Sequence, residues 1–357
     1  MKAALVGVGQ AGGKLAQALA EYDSDMGFGA VRGTLAVNTA SADLDPLSIP
    51  TMLVGQERVK GHGVGADNEL AARIMQTDVN EVMGALDGVV DPATEAIFVI
   101  AGLGGGTGSG GAPVVARELR RIYDIPVYGL GILPGRDEGA IYQKNAGRSL
   151  KTFVPEVSSL LLVDNDAWHS TGESVGGAFR AINQRIAERV GLLLAAGEIV
   201  DGVGESVVDT SEIINTLRDT GIAALGYAAA DASEDPGENI NVITSTARKS
   251  LLSGMSVPET TNAEAALVVV AGDPERISRK GSERARKWVE QETGSLQVRG
   301  GDFPIDSEKI AVITLLAGIA DSPRLEHVMA RAKAADVETE REDPKEAFAN
   351  DELDGLF

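Results

Sequence analysis

Short apolar runs alternate with stretches of helical spacing through the first half of this 357-residue chain. Ala3–Val8, Thr34–Val37, Ile97–Ala101, Val127–Ile132 and Leu160–Val163 are apolar at successive positions and too short for helices, which predicts buried strands. After the third run, Ala112, Val115, Ala116, Leu119 and Ile122 recur at the three- and four-residue steps of a helix packed on a sheet. This alternation predicts an α/β fold with a mostly parallel sheet covered on both faces.

Beyond Gly172 the pattern changes. Phe179, Ile182, Ile186, Val190, Leu193 and Leu194 hold helical spacing through one long segment, about Glu173 to Ala196, which predicts a central helix. A second apolar and helical region runs from about Glu205 to Met329, with predicted strands at Asn241–Thr244, Ala266–Ala271 and Lys309–Ala317. The expected organisation is therefore a first domain at 1–171, a central helix and linker at 172–204, a smaller α+β C-terminal domain at 205–332 and a tail at 333–357. From Asp336 to Phe357 nine acidic residues face two basic ones, a composition that predicts disorder. Phe348, Leu353, Leu356 and Phe357 punctuate that acid, so the tail reads either as a docking segment for a protein partner or as a solvating one.

Charge narrows the choice of partners. Asp and Glu number 53 against 32 Lys and Arg, a net charge of −21 that repels nucleic acid phosphates and anionic lipid. Self-repulsion of this size is tolerated best where concentrated salt screens it, so a halophilic setting is expected. With no cysteine and three scattered His, disulfides, thiolate zinc sites and a cysteine nucleophile are excluded, and no metal-ligating cluster is expected. No stretch approaches a membrane span and Met1-Lys2 leads directly into the first apolar run, so a cytoplasmic protein is expected.

Two glycine loops carry the chemistry. Gly7-Val8-Gly9-Gln10-Ala11-Gly12 follows a strand and opens a helix, a pattern that brings backbone amides close to phosphate. Taken alone it suits a dinucleotide fold equally well, but the second strand ends at Val37-Asn38-Thr39 without the acid that a dinucleotide ribose needs. A second loop, Gly102-Leu103-Gly104-Gly105-Gly106-Thr107-Gly108-Ser109-Gly110-Gly111, again joins strand to helix and holds seven glycines in ten residues. Two such cradles in one domain converge on one polyphosphate, held by backbone N–H groups with hydroxyl help from Thr107 and Ser109.

The run Gly104 to Gly110, placed after a chain opening with Gly7-Val8-Gly9-Gln10-Ala11-Gly12-Gly13, resembles the tubulin/FtsZ signature. Lys60-Gly61-His62-Gly63-Val64-Gly65-Ala66-Asp67-Asn68 and Asp164-Asn165-Asp166-Ala167-Trp168 resemble the CetZ group within it. The resemblance, from Met1 to about Met329, implies a GTPase domain, a central helix, a smaller C-terminal domain and head-to-tail filaments with a part in cell shape. It implies GTP or GDP bound by Gly9, Gln10, Ala11, Gly12 and Gly104, Gly105, Gly106, Thr107, Gly108 and Ser109. Asn38, Lys60, Ala66 and Asp67 would border the terminal phosphates and a magnesium ion held mainly through phosphate and water. Glu138 matches the ribose-contacting acid, Asn165 and Asn183 the base-reading amides, and Phe179 the stacking aromatic. From residues alone, Phe179 also reads as core and Asn183 as a solvated helix position.

Val207-Val208-Asp209-Thr210-Ser211-Glu212 resembles the family's catalytic loop, with Asp209 and Glu212 as the acids. The same spacing is that of a helix cap. The resemblance implies that these acids act on a neighbouring subunit's nucleotide; a GTP-binding regulator without filaments is the alternative.

Overall fold

The computed structural model describes residues 1–168, 175–198 and 207–339. In chain order, β1 (Ala3–Val8) leads into α1 (Gly9–Met26), β2 (Val31–Asn38) into the short α2 (Ser41–Leu44), and β3 (Thr51–Leu53) into α3 (Gln56–Val59) and α4 (Asn68–Ala85). Next come β4 (Ala96–Gly102) with α5 (Thr107–Ile122), β5 (Val127–Leu133) with α6 (Ala140–Phe153), and β6 (Ser159–Asp164) with a tight turn at Asn165–Trp168 before α7 (Val175–Ala196). The remainder contributes α8 (Thr210–Thr216), β7 (Gly221–Asp231), α9 (Asn239–Leu252), β8 (Ala265–Gly272), α10 (Arg279–Thr293), β9 (Gln297–Pro304), β10 (Lys309–Ala317) and α11 (Pro323–Thr339).

The ten strands of the described residues form one sheet in the order β3-β2-β1-β4-β5-β6-β7-β10-β8-β9. The strands from β3 to β7 run parallel, and β10 lies antiparallel between β7 and β8. Alternation along β1 sends Ala4, Val6 and Val8 into one core layer and Ala3 and Leu5 into the other. The first layer is closed by α4, α5, α6, α9, α10 and α11, the second by α1, α7 and α8. Helices on both faces are what strands with no polar side require.

The five strands expected in the first half are all present. Asn241–Thr244, expected as a strand, lies instead inside α9. Four apolar or small residues cannot distinguish the two states, and here Ile243, Ala247 and Leu251 are buried at four-residue steps, the period of a helix. A second correction concerns the tail: Lys333–Thr339 continues α11 rather than opening a disordered segment. Leu325, Val328, Ala332 and Ala335 fall on one buried stripe, and Ala332 sits so close to Gly147 of α6 that a Cβ there would lie 2.3 Å away. The remainder of the expected tail, 340–357, lies outside the described residues.

Candidate functional site: a polyphosphate cavity and a distant acid pair

Parallel strands deliver their following loops to one edge of a sheet. The register places Val8 beside Val37 and Ala101, Gly102 beside Ile132 and Leu133 beside Asp164, so the loops after β1, β2, β4, β5 and β6 emerge side by side. They enclose an open cavity of about 750 Å³. Ligands of open α/β sheets bind at this edge.

The two glycine loops touch each other through bare backbone. Gly9 has a φ of +75°, and a Cβ on it would lie 2.8 Å from the Gly108 nitrogen. A Cβ on Gly108 would lie 2.8 Å from the Gly102 carbonyl oxygen and 3.0 Å from that of Val8. Gly105 differs: it is exposed on the cavity wall, and a Cβ there meets nothing within 4 Å. Behind these loops α1 and α5 begin with no side chain capping their free amides and no acid in their first turn. Two uncapped helix starts beside one cavity leave amide donors that suit an anion.

Of the expected binding residues, Gly9, Gln10, Ala11, Asn38, Ala66, Gly104, Gly105, Gly106, Thr107, Gly108, Glu138, Asn165 and Asn183 line the cavity. Four others are set behind or beside its wall. Gly12 is wedged under β4, where a Cβ would lie 2.2 Å from the Ile100 carbonyl. The Ser109 hydroxyl donates back to the carbonyls of Gly105 and Gly106 inside the loop. Asp67 caps α4, accepting from the Leu70 amide at 2.8 Å, and Lys60 ends α3 in left-handed backbone. Phe179 is in α7, four residues before Asn183, with its side chain outside the description.

Two organising residues were not read from the sequence. Asp43 of α2 accepts from Gln10 Nε2 at 2.6 Å and from Asn38 Nδ2 at 3.1 Å, joining the first loop to the end of β2 at the cavity wall. Asn145, buried on α6, donates through Nδ2 to the carbonyls of Ala66 and Gly104 at 2.8 and 3.0 Å and so fixes the second loop against the Val64–Ala66 turn. The only sequence signal for Asp43 is an acid placed where the small polar groups Gln10 and Asn38 need a partner; Asn145 has none. Between these loops the Thr39 and Thr107 hydroxyls are hydrogen-bonded at 2.7 Å.

Asp209 and Glu212 stand at the other edge of the sheet. Asp209 Oδ1 accepts from the Glu212 amide at 2.9 Å while the Asp209 amide donates to Glu212 Oε2 at 3.3 Å, a complete capping box opening α8. Between them Thr210 donates to the Gly197 carbonyl at 2.9 Å and to Glu95 at 3.3 Å, just before β4 begins. The glycine loops follow the far ends of β1 and β4, one strand length away, roughly 20 Å. The Ser211 hydroxyl, donating at 2.6 Å, holds the Asp209 carboxyl below its usual range, whereas burial pushes Glu212 up.

Comparison with known proteins agrees with this geometry over both halves. Residues 2–173 match the Tubulin/FtsZ family, GTPase domain, and residues 172–334 match the tubulin-like CetZ C-terminal domain. The tubulin-like protein CetZ2 of Haloferax volcanii is 61% identical over the whole of both chains. Its structure as a GTPγS-bound protofilament superposes with a TM-score of 0.92, at 60% identity, over 95% of this chain and 100% of that one. The GDP-bound monomer of CetZ1 from the same organism gives 0.87 at 50% identity, over 94% of this chain and 100% of that one. On its sequence, its fold and its two-ended arrangement of glycine loops and acids, the chain belongs to the CetZ family of tubulin-like GTPases.

Proposed function

We propose that this protein binds GTP in the cavity at the glycine-loop edge, polymerises head to tail, and hydrolyses GTP with Asp209 and Glu212 supplied by the next subunit. The observation that carries the reading is the separation of these parts: acids roughly 20 Å from their own phosphate cradle cannot reach their own nucleotide. In this reading residues 1–171, joined by Asn183 of the central helix, hold the nucleotide and residues 205–332 present the acids.

The phosphates rest on the uncapped starts of α1 and α5, with Thr107 and Gln10 adding side-chain donors. Glu138 faces the ribose, and Asn165 and Asn183 read the purine edge as donors and acceptors. Among the described residues no group of three metal-ligating side chains exists, so a magnesium ion would be held by phosphate oxygens and water, with Asp43 as the carboxylate beside it. Bound there, the ion would neutralise charge on the β and γ phosphates. Asp209 and Glu212 of the adjoining subunit position and polarise the attacking water, Glu212 accepting its proton. Hydrolysis then weakens the contact that enabled it, coupling nucleotide state to filament turnover and, through it, to cell shape.

No described helix is long and apolar enough to cross a membrane, and a cytoplasmic filament fits the reading. The net charge of −21 opposes self-association, so assembly should strengthen with salt. Sedimentation with GTP, GDP and no nucleotide at molar potassium chloride tests the proposal: filaments pellet with GTP, and a protein that binds GTP but stays in solution at every concentration is a regulator instead. The acidic tail is proposed as the contact for a protein partner; from residue 340 onward it lies outside the described residues.

A further inference from the structure

The base-reading residue Asn165 follows a buried ion pair that none of the nucleotide chemistry above employs. Arg324, in the first turn of α11, is 1% exposed and Asp164, the last residue of β6, is 0% exposed. The guanidinium grips the carboxylate with two hydrogen bonds, Nε to Oδ2 at 2.8 Å and Nη2 to Oδ1 at 3.0 Å. Nη2 also donates to the Pro134 carbonyl at 2.5 Å and lies 3.9 Å from Asp166 Oδ2. Asp164 Oδ1 in turn accepts from the Asp166 amide at 3.3 Å, capping the tight turn that carries Asn165. Pro134, itself on the cavity wall, precedes Gly135, whose amide donates to Glu138.

One side chain of the C-terminal part thus ties together the two loops assigned to the base and the ribose. A buried ion pair is a poor source of stability, because desolvation offsets much of the Coulomb attraction. A planar fork is well suited to fixing geometry, since it holds a carboxylate in one orientation and still has a donor for a carbonyl. We propose that Arg324 is a positioning residue for base recognition: through Asp164 and Pro134 it sets the Asn165 turn, and so α11 sets the protein's selectivity for guanine. The proposal rests on the GTP-binding reading above.

The test compares GTP, ATP and inorganic triphosphate on the full chain. Arg324→Lys keeps the charge but cannot span Asp164 and Pro134 together. Its GTP affinity should fall roughly tenfold to a hundredfold, the scale of a base hydrogen bond left unmade, while inorganic triphosphate and ATP bind as before. The double variant Arg324→Met with Asp164→Leu leaves no unpaired buried charge and should keep the fold while losing the GTP-over-ATP preference in the same way. A lowered melting temperature with an unchanged GTP-to-ATP ratio in either variant would mean that the pair only braces α11, and would overturn the proposal. Equal loss of GTP and triphosphate would overturn it too, because the phosphate cradle would then be what moved. An unmodified protein with no preference for GTP over ATP would remove the reading beneath it before any variant is measured.

Discussion

At the cavity edge α1 and α5 begin with their amide donors free of any side chain, whereas at the opposite edge α8 begins with both halves of a capping box closed on its own first turn. The same local feature, the start of a helix, serves opposite ends in the two places. Open donors can point at anionic oxygen, which glycine backbones let approach closely. Closed donors hold two carboxylates in fixed positions on the surface, ready to face something that arrives from outside. A head-to-tail contact would bring the second arrangement to the first, so neither edge need be a complete active site.

Gly105→Val is expected to have the largest effect at the cavity edge. Because a Cβ at Gly105 meets no protein atom within 4 Å, the fold should be retained and the melting temperature should stay close to that of the unmodified protein. Nucleotide binding should be lost, since the added side chain would enter the cavity where the proposal puts phosphate. Gly9→Ala offers the contrast, because it forces left-handed backbone on alanine and meets Gly108 at 2.8 Å; here melting should fall along with binding. A Gly105→Val protein that bound GTP normally would break the cavity half of the comparison.

Glu212→Gln should act only at the other edge. GTP binding and assembly should persist, and hydrolysis per subunit in filaments should drop roughly 10²- to 10⁴-fold, the usual contribution of a general base. In the unmodified protein, activity per molecule should rise through a concentration threshold. Adding folded Gly105→Val subunits, which keep good acids, should restore some hydrolysis to Glu212→Gln filaments. Full activity in dilute Glu212→Gln monomer would place hydrolysis within one chain and reduce the acids to caps.

A smaller change, Asn183→Leu, sharpens the assignment of the cavity. Asn183 stands on the wall on α7, and leaving base hydrogen bonds unmade should weaken GTP by about 1–3 kcal/mol without altering inorganic triphosphate. Isothermal titration with the two ligands separates this from a general loss of the pocket.

How much of this was legible in the sequence differs between the two edges for a physical reason. A backbone site is announced by its glycines, since little else explains seven in ten residues, and the order of strands and loops could be read directly from apolar runs. A site set by side chains on distant segments carries no local mark: Asp43, Asn145 and Arg324 become visible only when the fold brings Gln10, Gly104 and Asp164 to them. β7, with its run of alanines, and β9, with Gly300, Gly301 and Asp302, are strands by pairing rather than by propensity, and so went unread. The spacing of Asp209 and Glu212 was ambiguous between cap and catalytic pair. The capping box is formed, and a cap does not prevent the same carboxylates from facing a neighbour.

The smallest expected effect is in stability, and it distinguishes the two acids of that box. Asp209 has its carboxyl lowered, first by the Ser211 hydroxyl, so its stabilisation is present above the ordinary aspartate value of 3.8 and is lost as pH falls through the lower folded value. Glu212 is raised by burial, so its sign is reversed: whatever it contributes is present below 4.5 and is lost as pH rises through the higher folded value. Near neutral pH Asp209→Ala should therefore cost about 0.5–2 kcal/mol, the usual cost of a lost N-cap. Glu212→Gln, which keeps an acceptor for the Asp209 amide while removing a half-buried charge, should be neutral or slightly stabilising. The same asymmetry predicts activity, because Glu212 must be ionised to accept a proton: the acid limb of the hydrolysis profile should fall above 4.5 and should not follow Asp209. Thermal melts of both variants from pH 4 to 8, beside the pH profile of filament hydrolysis, check the two statements together. A destabilising Glu212→Gln, or an acid limb below 4.5, would show that Glu212 is held in the box as an ordinary cap rather than poised to act beyond it.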